Sequence, residues 1–179
     1  MRYAASRTKP LRRPMPEVGE QGMRKPGDTG FSLIELLIVV AIILIIAAIA
    51  IPNFIRSRIT ANEASAVAAL RTIDTACVNY ANTYGVGYPA TLATLGSSGT
   101  TTSMSADLLD NVVAGGTKSG YTFTYIPGPV QGNLISTYSV NADPVTVGQT
   151  GVRHFFTDQS FTIRFNTTAP ATSSDSPIQ

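Results

Sequence analysis

A single carboxylate, Glu35, lies near the start of the most apolar stretch of the chain. That stretch, FSLIELLIVVAIILIIAAIAI from Phe31 to Ile51, has only Ser32 and Glu35 as polar residues. A carboxylate at the centre of a membrane helix costs about 2.5–3.5 kcal/mol on insertion scales, so an intramembrane Glu is functional by default and needs a partner. The pattern therefore predicts charge pairing in an apolar environment.

The other reactive side chains form no catalytic pattern. Cys77 is the only cysteine, so these residues contain no internal disulfide, and we interpret it as a small apolar residue on a helix face. His154 is the only histidine, and we interpret it as a structural residue in a strand. Serine and aspartate are available for a Ser/His/Asp site, but nothing resembles a nucleophile turn. Zinc spacing, a phosphate-binding glycine loop and a basic patch with interleaved aromatics are absent from residues 31–179. The sequence predicts neither an enzyme nor a nucleic-acid partner.

Three oxygen-bearing side chains in the C-terminal part could line a calcium site: Asn141, Asp143 and Asp158. Carboxylate and carbonyl oxygens are the ligands that Ca²⁺ prefers. The alternative is that they are turn residues, because Asp and Asn side chains hydrogen-bond to the backbone in turns. Both interpretations stay open, and otherwise no cofactor is expected.

The apolar stretch is long enough to position Glu35 within a membrane. Its twenty-one residues form a helix of about 32 Å at 1.5 Å per residue, close to the thickness of the hydrocarbon core. We predict a membrane-spanning helix. A secretory signal peptide is the first alternative, since Ala48-Ile49-Ala50 fits a cleavage site, but the run is longer than usual and carries a carboxylate. An uncleaved anchor for an unrelated domain is the second.

Charge is unevenly distributed about this helix. Residues 1–30 carry seven basic and three acidic side chains, whereas residues 31–179 carry six basic and eight acidic ones. Positive charge before an apolar helix retains the N-terminus in the cytoplasm, and the C-terminal part crosses the membrane. The first thirty residues are rich in Pro and Gly and predict no regular structure. Initiation at Met23 would leave a shorter leader.

A second helical pattern follows the apolar one. We expect the helix to continue past Pro52 and to leave the bilayer at Arg56 and Arg58. The apolar positions then follow helical spacing: Ala66, Leu70, Ile73, Cys77, Tyr80 and Tyr84. Four polar residues are expected mostly off that face: Arg71, Asp74, Asn79 and Asn82. Gly85 supplies a stop signal, so the pattern predicts one long helix whose second half is amphipathic.

The C-terminal part predicts a small antiparallel sheet that covers the amphipathic face. Residues 85–119 predict irregular structure with a short helix near 105–112. Four β-rich runs follow, at 121–125, 138–142, 152–157 and 161–165, the last two joined as a hairpin. The last dozen residues have the composition of a mobile tail. The fold class is therefore α+β: a long N-terminal helix packed on three or four antiparallel strands.

The segment Gly30-Phe31-Ser32-Leu33-Ile34-Glu35-Leu36 resembles the processing motif of type IV pilins and type II secretion pseudopilins. The resemblance is strong over residues 30–54. It implies that a prepilin peptidase cleaves after Gly30 and that Phe31 becomes the N-methylated N-terminus. Glu35 then meets the Phe31 amine of a neighbouring subunit, and Pro52 matches a family proline. One departure is Leu44, which stands where many pilins have a glycine that loosens the helix.

The resemblance also implies an organisation and a function. The segments are a leader (1–30), a transmembrane and filament-core helix (31–54), its amphipathic half (55–85) and a pilin head (86–179). The expected function is a structural subunit of a type IV pilus-like filament; a major pseudopilin of type II secretion is the alternative, and a membrane-anchored enzyme or binding domain a more distant one.

Implied partners are further pilins, the prepilin peptidase and methyltransferase, inner-membrane assembly machinery and lipid. The expected location is the inner membrane, then an extracellular pilus or periplasmic pseudopilus. Major pseudopilins also bind calcium in a loop that SVNADPVTVGQTG loosely resembles, and the lone cysteine slightly favours that subtype.

Overall fold

The computed structural model of the protein describes residues 30–178. It contains two compact units, one that ends at Ile42 and one that begins at Ile43. The predicted leader, apart from Gly30, lies outside the described residues. The four predicted segment boundaries stay predictions.

One long helix, α1, runs from Leu33 to Tyr84. Pro52 lies inside it and does not end it, as predicted. Gly85 ends the helix in the left-handed conformation, with φ of 68°, and its N–H donates to the Ala81 carbonyl at 3.0 Å. Glycine adopts this conformation without the steric cost that a Cβ imposes, which explains why the stop falls here.

Two short helices and eight strands follow α1. A 3-10 helix covers Leu92–Leu95, and a one-turn helix, α2, covers Asn111–Ala114. The strands are β1 (Thr117–Lys118), β2 (Tyr121–Pro127), β3 (Val130–Gln131), β4 (Leu134–Ile135), β5 (Tyr138–Pro144), β6 (His154–Asp158), β7 (Arg164–Asn166) and β8 (Ser176–Pro177). Six of them form one antiparallel sheet in the order β1-β2-β5-β6-β7-β8, and β3 and β4 form a separate hairpin.

The second half of α1 packs on the central strands of this sheet. Five of the six residues predicted for the apolar face are buried, and Tyr84 is partly buried against them. Alternate residues of β5 are buried as well, which matches the predicted two-residue period. The core facing the helix comes mainly from β2, β5 and β6: Tyr121, Phe123, Tyr138, Val140, Ala142 and Phe155. The predicted α+β fold, a long helix on an antiparallel sheet, is confirmed.

The structure differs from the prediction in three local features. The short helix lies at Asn111–Ala114 rather than across 105–112, because the Asp110 side chain accepts from the Val112 N–H and caps it there. The sheet has six strands because short edge strands extend it. The predicted mobile tail is folded back on the sheet: β8 pairs with β7, and Asp175 accepts hydrogen bonds from Asn166 and Thr172.

Candidate functional site

The N-terminal end of α1 holds the residues singled out by the sequence. Gly30, Phe31 and Ser32 precede the helix and are exposed. The Ser32 carbonyl accepts from the Leu36 N–H at 3.2 Å, which makes Ser32 the cap residue of the helix. Oε2 of Glu35 accepts from the Ser32 backbone N–H at 2.9 Å.

This contact is one half of a capping box, in which a Glu at the third helical position reaches back to the cap residue. The negative charge also faces the positive end of the helix dipole, where it is favourable. This role was not predicted, although Ser-x-x-Glu before an apolar run is a recognised signal for a helix start. Glu35 therefore has a hydrogen-bond partner within its own chain.

The surface around Glu35 is apolar and exposed. Every large apolar side chain between Phe31 and Ile55 is at least 42% exposed. Glu35 is the only charged residue between those two positions. Pro52 lies near the end of this exposed segment and has no N–H to donate to the helix. Within residues 30–178, α1 is the one helix long and apolar enough to cross a membrane.

A buried carboxylate, Asp74, connects the second half of α1 to the sheet. It is only 5% exposed, so its expected place off the apolar face was wrong. Its two oxygens accept hydrogen bonds from the hydroxyl groups of Tyr138 on β5 (2.8 Å) and Thr157 on β6 (2.9 Å). Burial raises the pKa of the Asp74 carboxyl, although the two hydroxyl donors counteract part of that effect.

A second carboxylate, Glu63, holds the loop between β5 and β6. It accepts from the backbone N–H groups of Val152 (2.9 Å) and Arg153 (3.1 Å), and from Nε of Arg153 at 2.8 Å. Burial acts to raise the pKa of Glu63, but these donors and the Arg153 charge together lower it below its ordinary value. Both carboxylates fasten α1 to the β-rich part, and neither set of contacts was predicted from the sequence.

The three calcium candidates have separate partners. Asn141 donates to the Ala171 carbonyl, Asp143 lies 2.6 Å from Nδ1 of His154, and Asp158 accepts from the Ser160 N–H. Among residues 30–178, no group of three or more His, Cys, Asp or Glu side chains is arranged to hold a metal ion. The calcium site stays a prediction.

The lone cysteine lies in the core. Cys77 is fully buried on the helix face. Burial, with the nearby Asp74 charge, raises the pKa of its thiol to about 12. Because the thiolate is the reactive form, this cysteine is chemically inert in the folded protein.

Comparisons with known proteins agree with the N-terminal features. A family model described as the prokaryotic N-terminal methylation motif matches residues 26–51. The type IV major pilin protein PilA of Myxococcus xanthus (strain DK1622) is 53% identical over 51 residues, which cover 28% of this chain and 23% of that protein. The chain thus aligns with about a quarter of that pilin. No solved structure matches the chain significantly.

The matched motif contains Gly30, Phe31 and Glu35, and the helix that follows packs on an antiparallel sheet, as the resemblance implied. These matches do not separate pilus subunits from pseudopilins. They support the resemblance to the type IV pilin family, because the N-terminal end carries the prokaryotic N-terminal methylation motif and is similar to part of a type IV major pilin.

Proposed function

We propose that the protein is a structural prepilin that is cleaved after Gly30, methylated on Phe31 and assembled through α1 into a type IV pilus-like filament. The observation that supports this most is the exposed apolar surface from Phe31 to Ile55, interrupted by a single carboxylate. Such a surface must be covered. Lipid covers it in the stored subunit, and copies of the same helix cover it in a filament core.

Cleavage changes the charge at the end of the helix. In the precursor the nitrogen of Phe31 is an uncharged amide, and Glu35 accepts from the Ser32 N–H. Hydrolysis of the Gly30–Phe31 bond turns that nitrogen into an amine, which is cationic and remains so after methylation. A neighbour's amine then pairs with Glu35 among apolar helices. Removal of one partner from a buried pair costs about 3–5 kcal/mol, because the other charge is left uncompensated.

The similarity to a type IV major pilin favours a pilus over a secretion pseudopilus. The major pseudopilin of a type II secretion system remains the second candidate, because Cys77 is alone and no disulfide within these residues fastens the C-terminal loop. Either filament requires the prepilin peptidase and methyltransferase, further pilins and inner-membrane assembly machinery. The N-terminus would lie in the cytoplasm and the β-rich part across the inner membrane.

The test replaces Glu35 with alanine and uses Leu36→Ala as the matched control, since Leu36 is an exposed neighbour on the same helix. Loss of an intramembrane carboxylate favours insertion, by up to about 2.5–3.5 kcal/mol. We therefore expect Glu35→Ala to give cleaved subunit in the membrane and few filaments, whereas Leu36→Ala assembles. A membrane-anchored enzyme or binding domain would tolerate both changes. Filaments in the sheared extracellular fraction indicate a pilus, and filaments confined to the periplasm indicate a pseudopilus.

A further inference from the structure

We propose that the loop between β5 and β6 rests on the lipid surface while the subunit is held in the membrane. This valine loop, residues 145–152, presents three apolar side chains: Val145, Val147 and Val152. The proposal rests on the membrane anchoring in the proposed function, and it adds a second lipid contact on the β-rich side of the protein.

The valine loop exposes its apolar side chains on a well-fixed backbone. Val145 is 62% exposed, Val147 59% and Val152 40%. The Gly148 N–H donates to the Gly151 carbonyl at 2.8 Å, and the Thr150 N–H donates to the Thr146 carbonyl at 2.9 Å. Scattered exposed valines are common on protein surfaces. Here three exposed valines lie within eight residues of a hydrogen-bonded loop and make a small apolar patch. Because hydrogen bonds already fix the loop backbone, it loses little conformational entropy on contact with a partner.

The direction of β5 determines where this patch lies. At the start of β5, Tyr138 contacts Asp74; beyond its end, the Thr150 carbonyl accepts from the Asn62 side chain at 2.8 Å. The strand therefore runs antiparallel to α1, toward the helix N-terminus. The twelve helical positions from Asn62 to Asp74 span about 18 Å. This distance is close to the length of a seven-residue strand such as β5. The valine loop, which contains Thr150, therefore lies level with Asn62 on the helix.

That direction leads to the apolar segment of the helix. Ile55, the last of its exposed large apolar residues, lies seven positions before Asn62, which is about 10 Å along the axis. One headgroup layer accounts for roughly 5–8 Å of that distance. An average helix tilt of about 20° brings one side of the protein still closer to the lipid. The valine loop thus lies at the height of the bilayer surface.

Charge favours the same partner. Arg56 and Arg58 are exposed between the apolar segment and the valine loop, where they attract anionic headgroups. The nearest acidic group on the helix, Glu63, is neutralised by Arg153, so it does not repel such a surface. Apolar side chains beside basic ones are the combination that binds lipid interfaces.

The hairpin of β3 and β4 provides a matched control. Val130 in this hairpin is 65% exposed, close to the exposure of Val147. The hairpin adjoins the other end of α1, since Gly87, just after the helix, forms a bridge with Ile135. Tyr84 lies twenty-two positions beyond Asn62, so the two valines are separated by about 33 Å along the helix.

The test uses fluorescence, because the chain has no tryptophan. Val147→Trp and Val130→Trp are introduced singly into the full chain, which is purified from membranes. Each variant is reconstituted into vesicles of phosphatidylethanolamine and phosphatidylglycerol that carry a nitroxide on the headgroup. We expect quenching of the Val147→Trp variant to exceed that of the Val130→Trp variant at least about threefold, because only an interfacial side chain reaches the label. A Val145→Trp variant should behave like Val147→Trp.

Flotation with the vesicles separates the two proposals. If the variants float and the valine loop is quenched no more than Val130→Trp, the loop contact is refuted while anchoring stands. If the variants do not float, anchoring fails and the loop contact fails with it. Emission that shifts with protein concentration instead of with lipid would assign the patch to a second copy of the chain and would also overturn the proposal.

Discussion

Replacing Asp74 with alanine removes the acceptor of two buried hydroxyl groups. Tyr138 is 2% exposed and Thr157 is fully buried, so both residues depend on a partner inside the protein. Each buried polar group left without a partner costs about 1–3 kcal/mol, which gives about 2–6 kcal/mol for the pair. That is a large part of the 5–15 kcal/mol by which a domain is usually stable.

Asparagine at the same position should cost less, because its amide retains one acceptor oxygen. We expect about 1–3 kcal/mol for Asp74→Asn, since one hydroxyl then lacks an acceptor. Asp107→Asn is the control, because Asp107 is exposed. Its backbone is in the left-handed conformation, with φ of 53°, and Asn tolerates this conformation. The measurement is denaturant unfolding of the full chain in detergent micelles. If Asp74→Ala costs no more than Asp107→Asn, the hydroxyl contacts do not hold the helix to the sheet.

The same residue predicts a pH dependence. The raised pKa means that the folded protein binds the Asp74 proton more tightly than the unfolded chain does. The resulting stability is present below the unfolded pKa of about 3.9 and is lost as pH rises through the raised folded pKa. Asn does not titrate. The loss of unfolding free energy in Asp74→Asn relative to wild type should therefore be largest in acid and should shrink as pH rises. A loss that does not change with pH would contradict a raised pKa of Asp74 in the folded protein.

Glu63→Gln should show the opposite pH dependence of stability, because the pKa of Glu63 is lowered in the folded protein. Its stability deficit relative to wild type should be present above about pH 4–5, near the ordinary Glu pKa of about 4.3. The deficit should disappear as pH falls through the lowered value. Parallel unfolding curves at acidic and neutral pH would show it. A thiol reagent should leave Cys77 unmodified in the folded protein and label it after unfolding; rapid labelling in native conditions would mean that the helix face opens. Gly30→Val should accumulate at precursor size in the membrane, because a branched side chain at the scissile bond clashes with a closely fitting peptidase; intact-mass measurement of normally matured protein would argue against processing at Gly30.

The elements predicted best from the sequence are those whose signal is local. The spacing of Leu70, Ile73 and Cys77 identified the buried helix face, and Gly85 identified its end. The polar contacts were missed because their partners are distant: Asp74 meets Thr157, and Glu63 meets Val152. A polar residue at the edge of an apolar face looks exposed until the covering sheet is known.

Two other differences had a different origin. The Ser32–Glu35 contact has a local signal in the sequence, because Ser-x-x-Glu before an apolar run is a capping pattern. The C-terminal residues have the composition of a tail, and only the contacts of Asp175 with Asn166 and Thr172 show how they are held. Composition alone does not contain those contacts.

The carboxylates of α1 are far along the sequence from the groups that they contact, and this separation has a consequence for biogenesis. The contacts of Asp74 and Glu63 with β6 and the loop before it join residues 83 to 90 positions apart. A ribosome that adds about 5–20 residues per second needs roughly 4–18 seconds to make that length of chain. During this interval the apolar stripe from Ala66 to Tyr80 has been synthesised without the strands that cover it. Folding of the β-rich part is therefore a late event, completed only after β6 has been made, and the nascent helix needs a temporary cover until then.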